Sequence, residues 1–404
     1  MRITDIRATP VAVPSYHAGD AIKKGDNSNP LISVIVEVIT DDGYVGVGES
    51  PAMLGAALTA EIIESSKPIL MGKDPSQINM LLKSLYVRYN LARLHIHLAS
   101  WAFSGIELAL WDIAAKSADM PLYQLWGGAF RDCVDIIGFI ERQDLSKMAE
   151  DARDLASKGF HTLYTDIGTN PEDDIAAMEA MRKGAPDPYI KLCGDANQAW
   201  STGIAVNTIN RMEPLGIGWI EQPVIMYNLD GLKDVKSRVN VPILGHESNW
   251  TMYDLLNVIK MNCVDYVKLD ARFDAGYYGA RVSAGIAEAA GIQCAHNSFP
   301  QLGVALAGSL HVIASIPNFS LPYSMYGYKG VDDVITGGSI YSGNNSYINI
   351  PQKPGIGISL DPERLLKYNE LYFKEVLEKD QEWIGNCATR DAMYMRKYFE
   401  GNVN

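Results

Sequence analysis

Two short segments decide the fold of this 404-residue chain: IKLCGDANQAW at residues 190–200 and IGWIEQP at residues 217–223. Each is an apolar run of strand length that ends in a carboxylate, Asp195 in the first and Glu221 in the second. A stretch with helical spacing separates them. This is the pattern of a βαβ unit, and it predicts a parallel sheet.

The same unit repeats through the middle of the chain. The predicted strands are Val134–Ile140, Thr162–Asp166, Ile190–Asp195, Trp219–Glu221, Ile243–Glu247, Tyr266–Asp270, Gln293–His296 and Phe319–Tyr323. The last seven carry polar residues at or near their ends, 24 to 31 residues apart: Tyr164, Asp195, Glu221, His246, Asp270, His296 and Tyr323. Polar residues also end strands wherever these emerge into solvent, but that explanation is weaker for a periodic run. Because strand ends converge on one face of a (β/α) barrel, we expect a shared pocket.

The sequence on either side of this repeat predicts a second domain. Strand-like stretches at Ile3–Val13 and Leu31–Gly48 precede a helical region, residues 53–120, whose strongest helix is Ser100–Ser117. Residues Leu365–Met395 are helical and charged, and we expect them to return to the N-terminal domain. The predicted organisation is a capping domain at residues 1–130, a barrel at 131–335 and a returning segment at 336–404.

Composition limits the class of protein. A net charge of −13 disfavours nucleic acid and anionic membranes as partners. No apolar run reaches the roughly 18 residues of a membrane span, and the N-terminus lacks the pattern of a secretory signal. Five scattered cysteines without C-x-x-C spacing argue against disulfides and structural zinc, and fit a reducing cytosol. We expect a cytoplasmic homo-oligomer with a small-molecule partner, although composition alone fits an enzyme and an acidic binding module equally.

The strand ends include a candidate metal site. Asp195 and Glu221 lie one βα unit apart and are hard oxygen ligands of the kind that Mg²⁺ prefers. The third ligand comes from the next strand, where spacing favours His246 and oxygen chemistry favours Glu247; an imidazole would also suit Mn²⁺. Asn197, two residues after Asp195, is a candidate to orient ligand or substrate.

Two sets of residues are candidates for proton transfer. Asp270 and His296 end neighbouring strands, where a carboxylate could fix the imidazole tautomer and raise its basicity. Tyr164 and Asp166 share one face of the second strand. A tyrosine is a poor base at neutral pH unless a cation lies beside it, and the preceding residue on that face is Thr162, so the sequence predicts no Lys or Arg beside Tyr164.

At this point the residues resemble a known family. The segment SGIELALWDIAAKSADMPLYQLWGG, residues 104–128, resembles the capping-domain signature of the enolase superfamily, with Glu107 where Asp is usual. The segments DANQAW, WIEQP and PGIG resemble the mandelate racemase/muconate lactonizing enzyme pattern, whose racemase branch has an Asp–His pair matching Asp270 and His296. The resemblance implies a modified (β/α)7β barrel under an α+β capping domain. It also implies Mg²⁺ and removal of a proton α to a carboxylate.

The chain departs from the racemase pattern at three strands. It has Tyr164-Thr165-Asp166 in place of Lys-x-Lys, His246 in place of a carboxylate, and Tyr323 in place of Glu. Tyr on the second strand and His on the fifth are similar to a branch of galactarate dehydratases. That branch pairs its Tyr with an Arg two residues earlier, the position of Thr162 here.

These observations predict a Mg²⁺-dependent dehydratase of a sugar acid that forms a 2-keto-3-deoxy acid. The base is Tyr164 or the Asp270–His296 pair. The resemblance and the loop His17–Pro30, read as a lid, suggest substrate contacts at Asn197, Asp166, Tyr89, Tyr323 and His17. A racemase or epimerase is the alternative enzyme, and a non-catalytic, metal-dependent sugar-acid binding protein is the alternative outside enzymes.

Overall fold

The computed structural model describes residues 1–14, 30–52, 55–88, 96–274, 276–298, 301–325, 332–341 and 345–377. Two predicted substrate contacts, His17 and Tyr89, lie outside the described residues, as does the predicted lid apart from Pro30. The part of the predicted C-terminal helix after residue 377 lies outside them as well.

The N-terminal region forms a capping domain around an antiparallel sheet. Strand β1 (Ile3–Val13) pairs with β2 (Leu31–Thr40), and β2 pairs with β3 (Val45–Pro51). The predicted single stretch Leu31–Gly48 is therefore two strands, because a turn at residues 41–44 reverses the chain. Four helices follow: α1 (Ala56–Ser65), α2 (Lys67–Leu70), α3 (Ile78–Arg88) and α4 (Ile96–Ser117). Apolar faces of the strands, α1, α3 and α4 form one core.

A barrel of eight parallel strands follows the capping domain, as the spacing predicts. Its strands are β5 (Gly138–Phe139), β6 (Thr162–Asp166), β7 (Lys191–Asp195), β8 (Ile217–Glu221), β9 (Ile243–Gly245), β10 (Tyr266–Leu269), β11 (Gln293–Ser298) and β12 (Ser324–Met325), paired in this order. The sheet closes on itself where Tyr323 donates its N–H to Asp135 O at 2.8 Å and accepts from Ile137 N–H at 3.0 Å.

The predicted boundaries are wrong at the two strands that close the barrel. Val134–Ile140 is divided between β5 and a separate strand, β4 (Cys133–Asp135), which pairs with β13 (Tyr347–Asn349). The last strand begins after Phe319–Tyr323, because its pairing with β11 starts at Ser324.

Helices surround the barrel, and most begin at a side-chain cap. Asp144, Asn170, Ser201, Asn228 and Thr251 each accept a backbone N–H of the first helical turn, which satisfies donors that the helix leaves unpaired. The barrel helices are α6 (Leu145–Ser157), α7 (Pro171–Gly184), α8 (Thr202–Met212), α9 (Leu229–Arg238), α10 (Met252–Met261), α11 (Gly276–Ala289) and α12 (Gly303–Ser315); a short helix, α5 (Leu122–Leu125), precedes them.

Two buried glutamates of the capping domain join it to the barrel. Glu49 accepts the N–H groups of Leu302 and Ala305 at 2.8 Å, at the start of α12. Glu107 accepts the N–H groups of Tyr277 and Tyr278 at 2.9 and 2.7 Å, at the start of α11. A carboxylate at a helix N-terminus is stabilised by unpaired N–H groups and by the helix dipole, so these contacts fix the cap above the strand ends.

The fit at Glu107 requires a glycine. Gly276 has φ +87°, and a Cβ there would lie 1.9 Å from Glu107 Oε2. A side chain at residue 276 would displace the carboxylate and strain the backbone.

The chain returns to the capping domain after the barrel. Helix α13 (Pro362–Leu371) donates a hydrogen bond from Asn369 Nδ2 to Pro10 O at 2.7 Å, and the hydroxyl of Tyr372 accepts from Ala57 N–H at 3.1 Å. Within the described ranges, no helix is long and apolar enough to cross a membrane.

Candidate active site at the C-terminal ends of the barrel strands

Three carboxylates lie side by side at the ends of neighbouring strands. Asp166 is the register partner of Asp195, and Asp195 is the register partner of Glu221. Register partners of parallel strands face the same side, so all three point toward the barrel axis. Asp195 Oδ1 accepts the N–H of Asn197 at 2.8 Å, and Asn197 Nδ2 lies 3.5 Å from Asp166 Oδ1.

The next strand brings an imidazole and a fourth carboxylate to this layer. Strand β9 ends at Gly245, and residues Glu247–Asn249 form a 3-10 turn, so His246 and Glu247 do not alternate sides as they would in a strand. His246 Nδ1 lies 3.0 Å from Glu221 Oε1 and 3.8 Å from Glu247 Oε2. The four predicted metal ligands therefore occupy one cluster.

Beneath this layer a tyrosine and a lysine contact the carboxylates. The Tyr164 hydroxyl lies 2.9 Å from Asp195 Oδ2 and 2.6 Å from Glu221 Oε2. Lys268 Nζ donates to Glu221 Oε2 and, at 3.1 Å, to the Tyr164 hydroxyl, and it lies 4.8 Å from the centre of the Tyr164 ring. The expectation that no cation lies beside Tyr164 is therefore wrong.

The sequence contained a signal for Lys268. It stands two residues before Asp270 in VKLD, and alternate residues of a strand share a face. Its register partner Ala295 belongs to the cluster that fills the barrel interior. Because Tyr164 belongs to the same cluster, Lys268 approaches the acids from the closed side of the barrel.

The carboxylates of this cluster have pKa values shifted in opposite directions. Burial raises the pKa of Asp195 well above its usual value, and the charges of Glu221 and Glu247 raise it further. Burial alone would also raise the pKa of Glu221, but Lys268 and His246 outweigh it and lower the pKa to about 2. A divalent cation would relieve the repulsion that remains among the acids.

The donor set fits a metal ion, although its oxygens now contact other side chains. In the described part of the chain, no group of three or more Asp, Glu, His or Cys side chains is arranged so that it could hold a metal ion without moving. One Tyr164 hydroxyl contacts both Asp195 and Glu221, so the two oxygens it contacts are no farther apart than the sum of those distances. Glu221 Oε1 is buried, and its 3.0 Å separation from His246 Nδ1 matches the roughly 3 Å between adjacent ligands of an octahedral ion.

Asp270 and His296 do not form the predicted hydrogen-bonded pair. Among the described residues, the Asp270 carboxylate hydrogen bonds to the buried guanidinium of Arg272, at 2.9 and 3.2 Å, and to Asn297 Nδ2 at 3.4 Å. His296 Nδ1 lies 2.6 Å from Asn297 O, and His296 Nε2 accepts the N–H of Ala271 at 3.4 Å.

The two residues differ in the side of the barrel wall that they face. His296 is the register partner of Leu269, which packs in the core between strands and helices, and its ring lies 5.2 Å from the ring of Tyr323. Burial lowers the pKa of His296 to about 4, against the charge of Asp270. Tyr323 accepts a hydrogen bond from Gln301 Nε2 at 2.6 Å. His296 and Tyr323 thus lie together, away from the acids.

Comparison with known proteins agrees with this geometry. A family model described as "Enolase C-terminal domain-like" matches residues 147–364, and one described as "Mandelate racemase / muconate lactonizing enzyme, N-terminal domain" matches residues 28–127. The chain belongs to the mandelate racemase/muconate lactonizing enzyme group of the enolase superfamily. Members of the enolase superfamily depend on Mg²⁺.

Proteins similar to this chain are named for different reactions. The chain is 32% identical to an L-Ala-D/L-Glu epimerase from Bacillus subtilis, over 81% of this chain and 88% of the relative. It is 29% identical to an arabinonate dehydratase from Saccharolobus solfataricus, over 83% and 90%. The solved structure of N-succinyl Arg/Lys racemase from Bacillus cereus superposes with a TM-score of 0.82 at 26% identity, over 91% of this chain and 98% of the other.

Proposed function

We propose that this chain is a metal-dependent sugar-acid dehydratase, which removes water from an aldonate or aldarate to give a 2-keto-3-deoxy acid. One observation carries the proposal: the groups on opposite sides of the barrel are chemically unlike. Tyr164 comes from the second barrel strand, and Asp270 comes from the sixth, which lies opposite it in the strand order. Elimination needs one group to accept a proton and another to donate one, whereas racemisation needs two groups that each do both at one carbon.

The metal would be held by Asp195, Glu221 and His246 or Glu247. When bound, it supplies positive charge next to the substrate carboxylate, which makes the adjacent C–H more acidic. Asn197 and Asp166, which lie beside the same layer, would contact the substrate hydroxyls.

The chain's own residues would then move two protons. One of the two candidate groups, Tyr164 or the Asp270–His296 region, takes the proton from C2. The other donates a proton to the C3 hydroxyl, and the C–O bond breaks with release of water. The resulting enol takes up a proton at C3 and becomes the 2-keto acid, so atoms and electrons balance. Relatedness to an arabinonate dehydratase supports the substrate class.

The test is a screen of mono- and diacid sugars with Mg²⁺ or Mn²⁺, in which the 2-keto product is trapped with semicarbazide. We expect product from at least one acid sugar, and loss of the activity in Asp195→Asn. Failure of every acid sugar, together with turnover of another substrate class, would overturn the proposal.

A racemase or epimerase is the second candidate, favoured by the relationship to the B. subtilis epimerase. The same screen run in D₂O separates the two. An epimerase exchanges the α-proton for deuterium without forming a keto acid, whereas a dehydratase forms keto acid.

A further inference from the structure

We propose that Lys268 is a positioning residue that holds Glu221 from the closed end of the barrel and limits how tightly the acid cluster binds a divalent cation. The inference rests on the proposed metal-dependent function. It assigns a role to a residue outside the predicted ligand set.

The ammonium group of Lys268 lies inside the barrel, next to the acids. Lys268 is almost fully buried, at 1% exposure, on a strand that faces the barrel interior. Its Nζ contacts Glu221 Oε2 and the hydroxyl of Tyr164, which itself contacts Asp195. A buried ammonium is stable only beside opposite charge, so this lysine is committed to the acid cluster.

The two carboxylate oxygens of Glu221 contact different groups. Oε2 takes the hydrogen bonds from Tyr164 and Lys268 below the layer, while Oε1 lies next to His246. The lysine thereby fixes the carboxylate rotation and leaves Oε1 on the side of the other predicted ligands.

Lys268 also affects the charge balance of the acids. The Tyr164 hydroxyl contacts both Asp195 and Glu221, so these carboxylates repel each other at short range. The ammonium of Lys268, which donates to Glu221 Oε2, offsets part of this repulsion when no metal is bound. With a metal, the same ammonium repels the incoming cation at short range. Lys268 should therefore stabilise the metal-free protein and weaken its metal affinity, which lets the ion exchange.

The experiment compares wild type, Lys268→Met and a matched control, Lys191→Met, which removes an exposed lysine at the start of β7. Mn²⁺ affinity is measured by isothermal titration calorimetry without substrate, and Tm is measured with and without Mn²⁺. We expect Lys268→Met to bind Mn²⁺ about tenfold more tightly or better. Its metal-free Tm should fall and its metal-induced rise in Tm should exceed that of wild type, while Lys191→Met matches wild type.

Unchanged or weaker Mn²⁺ affinity in Lys268→Met would overturn the inference while leaving the proposed function intact. Mn²⁺ binding by neither protein would overturn both. Should Lys268→Met fail to fold, Lys268→Met/Glu221→Gln removes both charges together. Recovery of folded protein supports the pairing, and continued failure contradicts it.

Discussion

Two groups of buried carboxylates in this molecule are satisfied in different ways. At the joint between the domains, Glu49 and Glu107 accept hydrogen bonds from backbone N–H groups at the starts of barrel helices. In the site, Asp195 and Glu221 share a tyrosine hydroxyl, and Glu221 also takes a lysine ammonium. The same functional group is thus held mainly by backbone donors in one region and mainly by side-chain donors in the other.

We expect the acids at the domain joint to contribute mainly to stability and the acids in the site mainly to function. Backbone donors at a helix start cannot leave without unfolding the helix, so the joint acids contribute to domain docking. In the site, the Tyr164 hydroxyl can turn its hydrogen away when a cation arrives, while the buried Lys268 stays beside Glu221. We expect substitutions in the two regions to affect different measurements.

The largest effect is expected for Asp195→Asn. The amide keeps the shape of the side chain but removes a ligand charge, so kcat/KM should fall by about 1000-fold or more, or roughly 4 kcal/mol of transition-state stabilisation. The Tm of the metal-free variant should not fall, because one of the repelling acids is gone. Steady-state kinetics measures the loss of kcat/KM, and calorimetry measures the Tm. Near-normal turnover would contradict a role of Asp195 in the site.

Glu107→Ala should lower stability and leave turnover nearly unchanged, the opposite of Asp195→Asn. It leaves the N–H groups of Tyr277 and Tyr278 buried without an acceptor, so the free energy of unfolding should fall by about 3 kcal/mol. Urea denaturation measures this loss, and turnover per folded molecule should stay near that of wild type. The exposed Glu61→Ala is the matched control, with an expected change below about 0.5 kcal/mol. Equal stability of the two variants would refute the joint role.

Tyr164→Phe tests which side of the barrel carries proton transfer. Loss of the hydroxyl should lower kcat about 100-fold, a typical contribution of a proton-transfer group. His296→Asn, measured beside it, should change kcat less if its outward position persists during turnover. The reverse ranking would assign the chemistry to the Asp270–His296 side.

The smallest effect concerns pH. Burial raises the pKa of Glu107 to about 7, against the opposing effect of its hydrogen bonds from Tyr277 and Tyr278. Because the pKa of Glu107 is higher in the folded than in the unfolded chain, its contribution to the free energy of unfolding is complete below about pH 4.5. That contribution is lost as pH rises through 7. Relative to Glu107→Gln, the wild-type free energy of unfolding should therefore fall over this range by about 2 kcal/mol. If the wild type instead gains stability relative to the Glu107→Gln variant as pH rises, the helix N-terminus favours the charged form of Glu107.

The sequence predicts the central strands better than the closing ones. Strands β6 to β8 each end at a carboxylate that interrupts a short apolar run, and these signals are local. The closing strands depend on partners far away in the chain. Asp135 and Ile137 bond to Tyr323, nearly 190 residues later, and no local pattern around Val134–Ile140 indicates that division.

The site shows a similar limit. Spacing along the chain predicts Asp195, Glu221 and His246 as one group, and they do lie together, because each stands at or just after the end of its strand. The residues around Tyr164 do not indicate Lys268, because this cation reaches the tyrosine across the barrel from a position 104 residues later. The predicted orientation of His296 is wrong because β11 continues to Ser298, so Asn297 rather than His296 faces Asp270.

The central claim is that carboxylates from separate strands hold one divalent cation, and a crystal grown with Mn²⁺ tests it most directly through anomalous scattering. We predict one manganese per chain, about 2.1 to 2.2 Å from oxygens of Asp195 and Glu221 and bound also by His246 or Glu247. A difference map with manganese elsewhere, or with Asp195 and Glu221 bound to separate positions, would contradict it.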